Sequence, residues 1–311
     1  MPYNICILGG SGFVGRHLCQ QLAASGNRVK VSTRDRERAK HLILLPTVDV
    51  VVADIHDPVA LADLVRGCDA VINLVGVLHD GRGARGFDAS HRDLAGKVAA
   101  ACRETGVRRL LHMSALAAAV DAPSDYLRSK GEAERIVRES GLDWTIFRPS
   151  VIFGPEDNFL NLFTDLQRIL PVLALAGHQA RFQPVYVGDV AAAMVAAIRD
   201  RKSFGCSYDL CGPKRYTLRE LVALAGTMAG CRRPIIGLGR TLSYFQAAVL
   251  ELSPVKLMTR DNLRSMQIDS VCDCAFPFGI KPQAVETLAP DWLASRTPRA
   301  RYQQFRNAAG R

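Results

Sequence analysis

The sequence has no uncharged apolar run near the roughly 18 residues that a membrane-crossing helix needs; the stretches at 169–180 and 241–250 are much shorter. Its nine cysteines form no C-x-x-C pair, and Cys272 and Cys274 make only C-x-C. The seven histidines are dispersed, with none at zinc spacing. These absences argue against a metal site and leave the reading that the thiols are buried and reduced, in a reducing compartment. No basic helix interleaved with aromatics is present, which disfavours a nucleic-acid partner. Repeats and low-complexity tracts are also missing. A strand starts almost at Met1, with no room before it for a basic and apolar leader, so the expectation is a cytoplasmic chain, at most peripheral on the cytoplasmic face of the inner membrane.

What is present is an ordinary globular composition of 311 residues, 48% hydrophobic and 23% charged. That length accommodates one full α/β domain and a smaller appendage. The formal net charge is +10, and residues 201–311 hold 17 Lys or Arg against 8 Asp or Glu, so the last third carries almost all of it. A basic face of this kind suits an anionic lipid surface or an acidic protein.

Short continuous apolar runs at 4–8, 28–32, 48–53, 70–75, 109–113 and 144–148 predict buried strands, with helical patterns at 13–25, 58–66, 91–105 and 125–139 between them. Strands alternating with helices imply a doubly wound, Rossmann-type parallel sheet covered on both faces. After Pro149 the rhythm loosens. The expected organisation is a dinucleotide-binding domain over 1–150, a smaller α/β substrate or partner region over 151–295 interspersed with the sheet, and a basic, solvated tail over 296–311 holding five arginines and no acid.

The segment 7–18, ILGGSGFVGRHL, places Gly9, Gly10, Gly12 and Gly15 between the first strand and first helix, matching both G-x-G-x-x-G and G-x-x-G-x-x-G. One glycine allows the turn, another lets the chain approach a pyrophosphate, and the third lets helix and strand pack closely. The anion then rests on the helix start, so Ser11, Phe13 and Val14 join the glycines as candidate cofactor residues. A ligand-free tight turn is the bland alternative. The end of the second strand, VKVSTRDRERAK, offers Thr33 and Arg34 rather than the carboxylate usual for NAD, which favours NADPH (NADP+) over NAD(H). Asp35 would serve NAD if the strand ended one residue later. Asp54 and Ile55 are placed to flank adenine, and Val75 and Gly76 to line the cofactor path.

In SDYLRSKGEAE, Tyr126 and Lys130 share a helix face at i and i+4. A phenol near pKa 10 is a poor proton donor or acceptor at neutrality; a nearby ammonium and an oxidised nicotinamide would bring it into range. Chance placement on an exposed face is the competing reading.

The glycine loop with YLRSK resembles the extended short-chain dehydrogenase/reductases. More narrowly, DYLRSKGEAE, FRPSVIFGPEDNFLN, QPVYVGDV, CGPKRYTL and MTRDNLRSMQI resemble the atypical branch that contains the NADPH-binding accessory subunit of respiratory complex I and its bacterial relatives. The resemblance implies a tightly held NADPH, with Lys130 on the nicotinamide ribose and Pro149, Ser150 and Val151 bordering the nicotinamide. It also exposes departures. The usual hydroxyl position falls on Ala115, with Ser114 one residue early, and the helical asparagine of the proton relay is replaced by His91.

Two functions follow as expectations. One is an oxidoreductase passing hydride from NADPH to a carbonyl or quinone, with Tyr126 as proton donor, Lys130 as its support and Ser114 as the remaining hydroxyl. The other is a nucleotide-stabilised accessory subunit of quinone or respiratory chemistry that docks on a membrane surface or protein complex through its basic C-terminal third. The segment GLGRTLSYFQAAVLELSPVKL is read as an amphipathic interfacial helix with Arg240 and Lys256 near its ends, against ordinary packing on the domain. An epimerase or dehydratase acting on nucleotide sugars is a third possibility, which the changes at Ser114 and His91 disfavour.

Overall fold

The computed structural model describes residues 2–81, 86–252 and 257–294. The basic tail expected at 296–311 and Lys256 lie outside the described residues. The chain divides into two compact units, Met1–Pro149 with Val187–Leu210 and Cys274–Lys281, and Ser150–Tyr186 with Cys211–Asp273 and Pro282–Arg311.

The first unit begins with β1 (Asn4–Leu8), α1 (Phe13–Ala24), β2 (Arg28–Thr33), β3 (Val48–Val52) and α2 (Pro58–Val65). It continues with β4 (Ala70–Asn73), α3 (Leu94–Thr105), β5 (Arg109–Met113), α4 (Asp125–Arg138) and β6 (Asp143–Pro149). The second unit supplies β7 (Ile152–Phe153), α5 (Leu160–Ile169), β8 (Leu173–Leu175), β9 (Arg181–Phe182) and β10 (Val185–Tyr186). The chain then returns to the first unit through α6 (Val187–Arg199) and β11 (Cys206–Leu210). It leaves again for β12 (Tyr216–Thr217), α7 (Leu218–Met228), β13 (Ile235–Gly237), α8 (Arg240–Glu251), α9 (Arg260–Ser265) and α10 (Val285–Leu293).

Seven strands form one sheet in the order β11-β6-β5-β4-β1-β2-β3, every pairing parallel. The order reverses beside β1, where open parallel sheets place their ligands beyond the strand carboxyl ends. Ile5, Ile7, Leu8, Val31, Ile72, Leu110 and Leu111 are almost wholly buried, as a parallel sheet covered on both faces requires. The expected Rossmann-type fold is therefore the one observed.

Local chemistry sets the helix starts. Asp57 caps α2 through Val59 N–H, with Pro58 at the first helical position where no amide is missed. Ser124 caps α4 through Leu127 N–H at 3.2 Å. Thr217 and Glu220 close a reciprocal capping box on α7. Between β5, β6 and α6 the guanidinium of buried Arg109 donates to Asp143 O, Ala197 O, Thr145 Oγ1 and Ser203 Oγ, all within 2.9 Å.

Cys6, Cys19, Cys68, Cys102 and Cys211 are buried free thiols. Cys272 and Cys274 depart from the reduced-thiol expectation, since both are disulfide-bonded. Among the described residues no cluster suits a metal ion, and no helix is long and apolar enough to cross a membrane.

Candidate functional site

The glycines after β1 have separable duties. Gly9 turns at φ +81°, a left-handed angle that side chains rarely adopt. A Cβ on Gly10 would stand 2.7 Å from Val31 Cγ1, and one on Gly15 would stand 2.5 Å from Gly10 Cα. Helix α1 thus rests on the backbone of its own entry loop, and these glycines are demanded by the fold itself. Gly12 differs, because a Cβ there would meet only Gly9 O, at 3.2 Å. It is the N-cap of α1, where no side chain caps the helix and no acid occupies the first turn. The amides of Phe13, Val14 and Gly15 have no carbonyl one turn earlier within the helix to bond, and the dipole points its positive end the same way. Beside the partly exposed Ser11, this acid-free start fits the diphosphate of a dinucleotide.

The end of β2 separates its polar groups. Thr33 is buried, and its hydroxyl donates to Asp35 O at 2.7 Å and accepts from Asp35 N–H at 3.2 Å. The Asp35 carboxylate accepts from Glu37 N–H and caps the 3-10 helix Arg36–Leu42. Both are occupied by the turn they build. Arg34 is exposed and forms no ion pair with a described residue. Arg16, one residue past Gly15, was not singled out from the sequence. The His41 imidazole is lowered by burial and then by the positive charge of Arg16, which places this second cation near the same turn.

Around α4 the geometry is tighter. Lys130 is buried and its ammonium donates to Met113 O at 3.1 Å, at the end of β5. Burial lowers it to about 8, opposed by the charge of Glu134. A Cβ on Gly76 would lie 3.0 Å from Lys130 Nζ and 3.6 Å from His91 Nε2, so the loop after β4 runs against both side chains. Burial pushes the Tyr126 phenol up to about 12. In the protein without nucleotide, burial by itself thus moves the phenol away from neutrality.

His91 lies in a π-helical segment, Asp88–Asp93, that leads into α3. Its Nε2 accepts from Val77 N–H at 3.1 Å, which fixes that nitrogen as unprotonated. Nδ1 therefore carries the hydrogen and donates to Ser129 Oγ at 2.8 Å, and Ser129 in turn donates to Tyr126 O at 2.8 Å. The ring stacks on Phe87 and meets Tyr126 edge-on. Burial, with the positive charge of Lys130 behind it, drops the imidazole to about 2. At the position where an asparagine relay was expected stands a neutral clamp joining the β4 loop to α4.

The other expected residues have plainer surroundings. Ser114 is buried, its N–H donates to Phe147 O, and its hydroxyl has no hydrogen-bond partner. Asp54 accepts from His56 N–H, while Ile55 and Val75 pack against the core, partly exposed. Pro149 ends β6 and accepts from Leu116 N–H. In the second unit, the Ser150 hydroxyl donates to Ser270 O and accepts from Gln183 N–H, and Val151 O accepts from Val185 N–H. The hydroxyls of Thr33 and Ser150 are thus committed to the protein. Asn73 and His112 are buried and were missed, Asn73 Nδ2 lying 3.4 Å from His112 Nδ1; the positive charge of Lys130 adds to burial in lowering His112 to about 3, and His112 Nε2 has no partner.

A parallel sheet whose order reverses at a glycine turn, with an uncapped helix behind it and a Tyr/Lys pair two strands away, defines a dinucleotide-binding α/β protein of the short-chain dehydrogenase/reductase type. Residues 9–201 match the NAD(P)H-binding family, and the chain belongs to that family. It is 38% identical over 227 residues to the mitochondrial NADH dehydrogenase (ubiquinone) 1 alpha subcomplex subunit 9 of Arabidopsis thaliana, covering 70% of this chain and 56% of that protein. The chain therefore spans little more than half of that plant relative. The Mus musculus counterpart is 31% identical over 292 residues, 90% of this chain and 77% of that protein. The ceramide reductase of Caulobacter vibrioides is 36% identical over 196 residues, 63% of this chain and 61% of that enzyme. The fold matches that of an Escherichia coli NADPH-dependent quinone oxidoreductase complexed with NADPH, with a TM-score of 0.74 at 19% identity, covering 93% of this chain and 99% of the other.

Proposed function

We propose that the protein holds NADPH as a resident nucleotide and serves as a peripheral accessory subunit in respiratory or quinone chemistry. The observation that carries the choice of NADPH is at the end of β2, where the Asp35 carboxylate is spent on a helix cap and Arg34 is left exposed for the additional phosphate. The diphosphate would rest on the start of α1 near Gly12, and Lys130 would reach the nicotinamide ribose. Resemblance to the complex I subunits supports the respiratory placement, and the positive C-terminal third supports docking on a membrane face or acidic partner. A neutral, fully bonded His91 and a hydroxyl at Ser114 without a partner favour a stabilising role for the nucleotide over rapid turnover.

The kept Tyr126 and Lys130 favour a second reading, reduction of a carbonyl or quinone. Bound NADPH would supply the hydride; Tyr126 would supply the proton, and Lys130 would hold the ribose and oppose charge on the phenol. Releasing nucleotide from purified protein and identifying it tests the first reading. NADPH should raise the melting temperature well beyond NADH, since a ligand stabilises only the state that binds it. Oxidation of bound NADPH in a single turnover with a panel of carbonyls and quinones tests the second, and a Tyr126→Phe variant matching wild type would count against it.

A further inference from the structure

Helix α8 is turned inside out for a globular protein. It buries Ser243 and Ala247, which pack with Ala176 and Leu263, and exposes Leu242, Phe245, Val249 and Leu252. The exposed four are spaced 3, 4 and 3 residues apart, so they form one stripe opposite the small residues. Phe245 is 69% exposed and Leu252 87%. The stripe is not isolated. Gln246 on α8 donates to Ala174 O on β8, and β8 pairs with β13 so that exposed Ala174 stands opposite Ile236, which is 57% exposed. Val172, directly before β8, is exposed as well. Contiguous exposed apolar surface of this kind marks an interaction site.

The charge carried by the same unit selects the partner. Arg232 and Arg233 directly precede β13, and with Arg219 of α7 they line a recess of about 480 Å³ whose other walls are Ala223, Pro234 and Ile235. No acidic side chain lines that recess, and no described carboxylate pairs with any of the three arginines. Arg240, at the start of α8, is exposed as well. An acidic protein would satisfy the arginines while leaving an aliphatic and aromatic stripe to be matched separately. A bilayer with anionic headgroups satisfies both, with acyl chains against the stripe and phosphates at the arginines.

We propose that α8 and the adjoining face of β8 and β13 lie in the surface of an anionic phospholipid membrane, with Leu242, Phe245 and Val249 inserted and Arg219, Arg232 and Arg233 receiving lipid phosphates. This deepens the peripheral-association reading above and does not depend on the cofactor. The test is co-sedimentation of the full chain with vesicles of phosphatidylcholine alone or mixed equally with phosphatidylglycerol. The protein is expected to pellet with the mixed vesicles only. Replacing Leu242, Phe245 and Val249 together by Ser should cut partitioning about tenfold or more, as should replacing Arg219, Arg232 and Arg233 by Gln at low salt. A Phe245→Trp variant should be quenched by brominated acyl chains more than wild type is. Melting in the presence of NADPH, unchanged in each variant, reports folding and the nucleotide site separately. Failure of the protein to bind anionic vesicles, equal partitioning of the Ser variant, or a dimer in solution that the Ser variant dissociates would each overturn the proposal, whatever the nucleotide result.

Discussion

Gly10 and Gly15 meet backbone to backbone, close enough that a methyl group on Gly15 would fall 2.5 Å from Gly10 Cα. Gly15→Ala must therefore push α1 off its loop, and the expected cost is about 1–3 kcal/mol or more in denaturant unfolding without nucleotide. Gly12→Ala meets only one carbonyl and should leave that stability within about 1 kcal/mol while sharply weakening NADPH binding. Equal losses in both variants would remove the distinction between a packing glycine and a ligand glycine.

Arg34→Gln should raise the Kd for NADPH about tenfold or more, the loss expected of one charge-assisted bond, and leave NADH binding nearly unchanged. Isothermal titration with both nucleotides checks this. A parallel loss for both would assign Arg34 to the fold of the turn.

Lys130 is a buried cation bonded to one described carbonyl. Lys130→Met should leave the melting temperature without nucleotide unchanged or higher, because a buried charge is removed, while abolishing most of the rise on adding NADPH. A variant equally destabilised with and without NADPH would make Lys130 purely structural.

His91 and His112 are held neutral, at about 2 and about 3, while an unfolded histidine titrates near its ordinary 6.5. Between those limits the unfolded chain binds more protons, so stability falls as pH drops below about 6.5, by up to ~1.4 kcal/mol per pH unit for each residue. His91→Asn should flatten that slope in urea unfolding measured from pH 7.5 to 4.5. An unchanged slope would place the titration elsewhere.

Much of the first unit was legible because parallel strands buried on both faces are written as short apolar runs; the runs at 4–8 and 109–113 coincide with β1 and β5. Strand β11, CSYDL, has no such signature, being polar and only partly buried except at Leu210, and it joins β6 after a long excursion that no local pattern announces. The glycine spacing marked the turn between β1 and α1, whereas the surroundings of the hydroxyls could not be read from the sequence. Thr33 and Ser150 sit where hydroxyls turn inward to satisfy nearby backbone, a demand set by the chain's path. In the π-helical segment, the His91 imidazole bonds Val77 and Ser129 at once, tertiary contacts invisible to helical periodicity.

The threading of β11 also constrains how the molecule can be made. Since this strand occupies the sheet edge next to β6 and is separated from it by β7 to β10 and α6, a nascent chain must expose about 210 residues before that edge is sealed. Until then β6 presents open amides and carbonyls to any passing strand. A fragment cut after Pro149 would inherit that sticky border permanently, making it a poor stand-in for the intact chain.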